Sequence, residues 1–115
     1  MGQTDQKNSD KYVPMSEQFL NSLPELGTEK QVEELAALFF TISEIAVFIG
    51  MDADQLRNII MLDQDSAISK AYNKGKLRTR ILLRFDSRNF ALKGSPQALQ
   101  EMKEYLSDQQ IDENA

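Results

Sequence analysis

The stretch TISEIAVFIGMDADQLRNII, residues 41–60, decides the fold because its spacing describes two short helices and the turn between them. Thr41 and Glu44 have the spacing of a capping box, which starts a helix. Gly50 suits the turn because glycine adopts positive φ without steric cost, and Asp52 is a good N-cap for the second helix. The other positions that fit this unit are apolar: Ile45, Ala46, Ile49, Met51, Leu56 and Ile59. Together they predict a helix-turn-helix.

The residues before this unit predict a helix that packs against it, from Thr28 to about Phe39 or Phe40. Apolar side chains recur along it at the helical period, at Val32, Leu35, Ala36, Leu38 and Phe39. Its acidic residues fall on the other face: Glu29, Glu33 and Glu34. Further upstream, Ser16 could cap a short helix that ends before Pro24.

The residues after the unit predict a long helix from about Ser66 to Leu92 and a final helix from about Pro96 to Leu106. No segment has the alternating pattern of a strand, so we expect an all-α fold. The expected regions are a flexible N-terminal arm with a short helix (1–27), the helix-turn-helix unit (28–65), a helical hairpin for oligomerisation (66–106) and a disordered acidic tail (107–115).

Composition narrows the classes of function. The chain has 115 residues and neither cysteine nor histidine, which removes thiolate zinc sites and the commonest general base. We therefore expect no catalytic residue, cofactor or metal ion. No apolar run reaches the roughly 20 residues of a membrane span, and the first residues lack the apolar core of a signal peptide. These features predict a cytoplasmic protein without membrane contact.

The net charge of −5 hides an uneven distribution. The segment from Lys70 to Lys93 holds eight basic residues and one acid, whereas the remainder holds five basic and 17 acidic residues. A partner responds to the potential within a Debye length of roughly 8–10 Å, so the local excess matters more than the total. The basic segment is compatible with a nucleic-acid partner.

The second helix of the helix-turn-helix presents polar residues outward. Its N-terminal part contacts base edges in such units, so Gln55, Arg57 and Asn58 are candidate DNA-binding residues. Asp52 is explained as a cap, but Asp54 would repel phosphate. A single unit of this kind would bind DNA weakly. It would need basic residues elsewhere or several copies.

The long helix is apolar on two sides, and such a helix packs against two partners. We assign one side to the domain core: Ile68, Tyr72, Gly75, Thr79 and Leu82. The nearly opposite second stripe, Leu77, Ile81 and Phe85, is a candidate oligomer interface, with a central helix in a closed monomer as the alternative. Lys76, Arg80 and Arg84 line one flank between the two sides and are candidate DNA-binding residues.

The order of these elements resembles a known family. Ala71, Tyr72 and Gly75 match an Ala-Tyr-x-x-Gly segment that follows the DNA-binding unit, and an Arg-bearing helix comes next. Ala91, Gly94, Ser95 and Pro96 then match an Ala-x-x-Gly-(Ser/Asn)-Pro turn, with Leu99 near the start of the last helix. From about residue 28 to residue 106, this order is similar to the small terminase subunits of tailed bacteriophages and prophages.

The resemblance implies a role in DNA packaging. Small terminase subunits recognise double-stranded phage DNA, assemble as rings and recruit a large terminase subunit that carries the ATPase and nuclease. This chain would then work without an active site, in the cytoplasm of a bacterial host. The resemblance places DNA reading on Gln55, Arg57 and Asn58, oligomer contacts on the second stripe, and docking of the large subunit on the tail from Ser107.

Three other functions fit parts of the pattern. A prophage transcription regulator would use the same unit as a dimer on a palindrome. A helical adaptor would have the shape without binding DNA. An enzyme is the weakest hypothesis, since its best carboxylate pair, Asp63 and Asp65, is equally explained by Asp65 or Ser66 as a helix cap.

Overall fold

The computed structural model describes residues 12–115, and all regular structure in that range is helical. This confirms the all-α class, while the first 11 residues of the predicted arm lie outside the described residues. The elements are α1 (Met15–Ser22), a 3-10 turn (Leu23–Glu25), α2 (Thr28–Ala37), α3 (Ile42–Ile49), α4 (Ala53–Leu62), α5 (Ala67–Leu92) and α6 (Pro96–Glu113).

The ends of α3 and α4 are fixed by the caps that the sequence predicts. The Thr41 hydroxyl accepts from the Glu44 backbone N–H at 3.2 Å, and the Glu44 carboxylate accepts from the Thr41 N–H at 2.9 Å. Gly50 follows α3 with φ of 73°, in the left-handed region. Asp52 accepts from the Gln55 N–H at 3.0 Å and so caps α4. A three-residue turn, residues 50–52, therefore joins the two helices.

The core lies between α1, α2, α3, α4 and the first half of α5. It is a continuous cluster of buried side chains: Leu23, Val32, Leu35, Ala36, Ile45, Ala46, Leu56 and Ile60. Burying each of the larger ones stabilises the fold by about 1.5–3 kcal/mol. Ser69 is also fully buried, and its hydroxyl donates to the Ile60 carbonyl at 2.8 Å, which ties α5 to the end of α4.

Helices α2 and α5 cross at close range because Gly75 has no side chain. A Cβ atom at Gly75 would lie 2.1 Å from the Glu33 carbonyl oxygen and 3.1 Å from the Ala36 Cβ. One turn further along α5, the Thr79 hydroxyl donates to the Ala37 carbonyl at 2.5 Å. The hydrogen bond also satisfies a carbonyl at the end of α2, so the crossing and the helix end support each other.

The acidic residues of α2 do not all face away from the core, as the pattern predicted. Glu33 is buried and Glu34 half-buried, because both face α5, where Arg78 donates to Glu33 at 2.6 Å and to Glu34 at 2.9 Å. The hydrogen bond that Arg78 donates to Glu34 raises the pKa of the Arg78 guanidinium, against a smaller lowering by burial. A raised pKa stabilises the fold at every pH below the unfolded value, so this pair contributes evenly through the neutral range.

Helix α2 ends at Ala37, earlier than predicted, in a Schellman motif. The Phe40 N–H donates to the Leu35 carbonyl at 3.2 Å, and the Phe39 N–H donates to the Ala36 carbonyl at 2.9 Å. Phe39 has φ of 63°, a position that usually holds glycine. Leu38 and Phe39 are therefore outside the helix and exposed, whereas the periodic pattern had placed both on its buried side.

The two ends of the described chain also differ from the predictions. Helix α1 begins at Met15 after Pro14, so Ser16 lies inside the helix and does not cap it. Helix α6 continues to Glu113, although residues 107–115 were predicted to be a disordered tail. This tail contains neither glycine nor proline to stop the helix, and its Asp108 and Asp112 lie beside Arg80 and Arg84 of α5.

The second half of α5 extends beyond the core and packs only against α6. Ser87 donates to Glu101 at 2.6 Å near the turn of this hairpin, and Ala98 is buried between the two helices. The molecule is correspondingly long and flat, with extents of 66 × 43 × 17 Å. Its radius of gyration is 19.4 Å, against about 13 Å for a compact domain of this length.

Candidate nucleic-acid interface

Helix α4 exposes the three polar residues that were predicted to read DNA, but it does not align them. Gln55, Arg57 and Asn58 are all exposed. At 100° per residue, Gln55 and Arg57 project from opposite flanks of α4, with Asn58 between them. Beyond them, α4 ends in two exposed apolar side chains, Met61 and Leu62. The polar part of the surface is therefore the N-terminal half of the helix.

Arg57 is held toward the start of α3. Its guanidinium donates to the Ser43 hydroxyl at 3.0 Å and to the Asp54 carboxylate at 3.4 Å. The Asp54 side chain is 90% exposed, so this ion pair is weak and screened by salt. Arg57 keeps further N–H donors that neither contact uses.

Arg57 and Lys76 meet at one pocket, although 19 residues separate them in the sequence. We call it the cationic pocket; its volume is 300 Å³, and it is lined by Phe39, Phe40, Thr41, Ile42, Arg57, Tyr72 and Lys76. The Lys76 ammonium lies 5.1 Å from the centre of the Tyr72 ring, a cation–π contact that holds the charge in place. No acidic side chain is among the lining residues.

Arg80 and Arg84 lie on a different surface. They line a groove of 620 Å³ between α5 and α6, together with Tyr105, Asp108 and Asp112. The Arg84 guanidinium stacks 4.0 Å from the centre of the Tyr105 ring. These two arginines therefore face the acidic end of α6, which reduces the potential that they present to a polyanion. The structure brings Arg57 and Lys76 together and separates them from this pair.

The second stripe is exposed along the middle of α5. Leu77, Ile81 and Phe85 are 54%, 58% and 56% exposed. Leu82, which was predicted to lie in the core, is 63% exposed. The reason is that α2 ends at Ala37, which pairs with Thr79, so α2 does not extend over the next turn of α5.

The structure contains an apolar groove that was not predicted from the sequence. It has a volume of 550 Å³ and lies between α1, the end of α2 and α3. Its exposed apolar side chains are Met15, Leu20, Leu38, Phe40 and Phe48. The sequence did contain a signal for this groove. Leu38 and Phe40 are apolar residues at a predicted helix end, and Phe48 is an apolar residue on the outward side of α3.

Neither a metal centre nor a membrane span appears among residues 12–115. The aspartate and glutamate side chains of that range form no cluster of three that could hold a metal ion. Asp63 closes α4, and Ser66 is the residue that caps α5, accepting from the Ser69 N–H at 3.1 Å. In the same range, every helix is too short or too polar to cross a bilayer.

Comparison of the chain with models of protein families, with curated proteins and with solved structures found no match. The function is therefore argued from the residues of the chain itself. Three surfaces are candidates for binding: the N-terminal half of α4 with the cationic pocket, the second stripe of α5, and the apolar groove beside α1.

Proposed function

We propose that this chain is a non-catalytic DNA-binding subunit that acts as an oligomer. The observation that carries the proposal is the cationic pocket, where Arg57 and Lys76 converge with no acidic side chain in the lining. It lies at the start of α3, beside the exposed polar half of α4. Paired cations are typical partners of backbone phosphates, and the exposed end of α4 carries groups that pair with bases.

Self-association supports DNA binding, because the DNA-binding surface of a single copy is weak. The net charge of −5 and the exposed Asp54 both oppose a polyanion. Several copies bound to one DNA molecule raise the apparent affinity by about 10²–10⁴ without new contacts in each copy. The uncovered second stripe of α5 offers an apolar surface for that assembly.

Within this class, we propose a small terminase-like role, because of the motifs around Tyr72, Gly94 and Pro96. Such a subunit would bind double-stranded phage or prophage DNA in a bacterial cytoplasm and recruit a large terminase subunit. The last turns of α6, from Ser107 to Glu113, are the proposed docking segment for that subunit. A dimer on a palindrome would instead favour a prophage transcription regulator, whereas a larger closed assembly favours packaging.

Salt-dependent binding of DNA tests the proposal. We expect a fluorescein-labelled duplex to bind more weakly as salt rises from about 50 to about 200 mM, with a linear relation between the logarithms of affinity and salt. Arg57→Ala should reduce the slope by about one for each subunit bound. Lys103→Ala on α6 removes the same charge from an exposed site outside the pocket and is the matched control. Absence of duplex binding by the wild type at about 50 mM salt contradicts the proposed function.

The apolar groove favours a second candidate, a helical adaptor that binds a protein and no DNA. Its lining is formed by aliphatic and aromatic side chains from α1, α2 and α3, the kind of surface that receives an amphipathic helix. The two candidate functions differ in whether they require the charges of Arg57 and Lys76. The adaptor has no use for Arg57 and Lys76, so it predicts that the wild type does not bind the duplex even at about 50 mM salt.

A further inference from the structure

Phe39 has a backbone conformation that is unfavourable for its residue type. Its φ of 63° is left-handed, and this conformation costs a residue with a side chain about 1–2 kcal/mol. Glycine would form the same Schellman motif without that cost. The ring does not recover the cost by burial, since Phe39 is 49% exposed. Such strain persists where the side chain serves another purpose, and it concentrates at binding sites.

The exposed ring of Phe39 forms part of the wall of the cationic pocket. Phe40, the next residue, also lines the pocket. Arg57 and Lys76 line it as well, and Tyr72 positions the Lys76 ammonium through their contact at 5.1 Å. The pocket therefore combines aromatic surface with two positive charges.

We propose that the cationic pocket receives one unstacked nucleotide of single-stranded DNA. The base lies against Phe39 and Phe40, and its phosphate lies between Arg57 and Lys76. Aromatic surface and cations in one groove are the combination by which proteins bind single strands, since every base has a π-face. A duplex keeps its bases stacked and cannot place one against Phe39. The choice of DNA as the polymer rests on the proposed function.

The volume and the charge of the pocket agree with this occupant. Its volume of 300 Å³ is in the range of pockets that hold small ligands. Asp54 touches the Arg57 guanidinium and so weakens its charge, but the pocket lining itself contains no carboxylate. The proposal adds a second mode of DNA contact to the duplex contacts of α4.

Phe39→Gly is a sharp test because it removes the ring and also relieves the backbone. Binding of a fluorescein-labelled oligothymidine of about eight nucleotides is measured by anisotropy at about 50 mM salt, with thermal unfolding of the same variant. We expect Phe39→Gly to bind the oligothymidine roughly 5- to 100-fold more weakly, as for the loss of one stacked base. Its unfolding midpoint should not fall, which excludes misfolding as the cause. Duplex binding should change less than the binding of oligothymidine.

Matched variants separate the pocket from general effects. Phe90→Ala removes an equally exposed ring from the far end of α5, and Lys74→Gln is the control for Lys76→Gln on the same helix. We expect the two pocket variants to weaken oligothymidine binding and the two controls to leave it within about twofold, the range of a surface change. Thymidine monophosphate is added as a competitor, and we expect no displacement at concentrations equal in nucleotide to the oligomer.

Four results would overturn the proposal. They are absence of oligothymidine binding by the wild type, unchanged binding by Phe39→Gly, equal loss in the controls, and displacement by the free nucleotide, which would make a free nucleotide the occupant. Duplex binding distinguishes this failure from failure of the proposed function. If the duplex binds and oligothymidine does not, only the pocket assignment is wrong; if oligothymidine binds and the duplex does not, the proposed duplex function is wrong.

Discussion

At the scale of single residues, Asp54 and Arg57 decide how strongly α4 attracts a polyanion. They lie one turn apart, and the Asp54 carboxylate is 3.4 Å from the Arg57 guanidinium. Asp54 stabilises the first turn of α4 through the helix dipole by a few tenths of a kcal/mol. It also neutralises the charge that Arg57 offers to DNA. Helix stability and DNA affinity therefore favour different residues at this position.

Asp54→Asn is expected to raise the affinity for duplex DNA. It removes a negative charge from the DNA-facing surface and frees Arg57 from an exposed ion pair worth about 0.2–1 kcal/mol, so the gain should be up to about fivefold. The measurement is anisotropy with the labelled duplex at low salt. Asp65→Asn, which removes the same charge from the loop before α5, is the control. An equal gain in both variants would attribute the effect to net charge and not to Arg57.

At the scale of helices, the contact between α2 and α5 determines where the basic helix lies. Gly75 lets the two backbones approach, Thr79 donates to the end of α2, and Arg78 reaches Glu33 and Glu34. The tertiary position of Lys76 follows from these neighbours, since it projects between them toward the start of α3. The cationic pocket thus depends on a close helix crossing.

Gly75→Ala is expected to destabilise the fold by about 1–3 kcal/mol, as overpacking of a close contact does. The added Cβ would lie 2.1 Å from a backbone oxygen, so α2 and α5 must separate. Urea unfolding followed by circular dichroism measures the change. Gly27→Ala is the control, because a Cβ at Gly27 has no atom within 4 Å and its φ is −65°. A loss at Gly27 as large as that at Gly75 would contradict this account of the crossing.

The sequence was informative where structure is local. The caps at Thr41 and Asp52 and the turns at Gly50 and Gly94 depend on neighbours within a few residues, and they were predicted correctly. The end of α2 was not predicted correctly, because Leu38 and Phe39 continue the apolar period and neither residue is a usual stop signal for a helix.

Contacts between distant residues could not be predicted in the same way. Glu33 and Glu34 meet Arg78 across about 44 to 45 residues, and nothing in the pattern of α2 distinguishes them from solvated acids. The same limit applies to the candidate site. The sequence identified Arg57, Lys76, Arg80 and Arg84 as cations, but only the packing of α5 separates the first two from the last two.

At the scale of the whole molecule, the surface is larger than that of a compact monomer of the same mass. It measures 8810 Å², whereas a compact monomer of this mass exposes about 6,400 Å². Exposed apolar side chains run along α5 from the second stripe to Leu92.

Ile81→Glu is expected to reduce the mass of the assembly in solution. It places a charge at the centre of the second stripe, where a desolvated and unpaired carboxylate is strongly unfavourable. Light scattering after size-exclusion chromatography gives the mass. Leu62→Glu makes the same chemical change on the exposed end of α4 and is the control. An unchanged mass for Ile81→Glu would show that the stripe does not mediate assembly, and a monomeric wild type would remove the need for an interface.

Helix α5 also fixes the angle between the cationic pocket and the second stripe. It runs without interruption from Ala67 to Leu92, so the same rod carries Lys76 near its base and Ile81 and Phe85 further along. Each residue of an α-helix advances the direction of a side chain by about 100° and 1.5 Å. The angle between the pocket and the stripe is therefore set by the number of residues between them. The insertion or deletion of one residue there would rotate the cationic pocket relative to the second stripe. In an assembly, the pockets would then no longer face a shared axis, even if each pocket and each stripe remained intact.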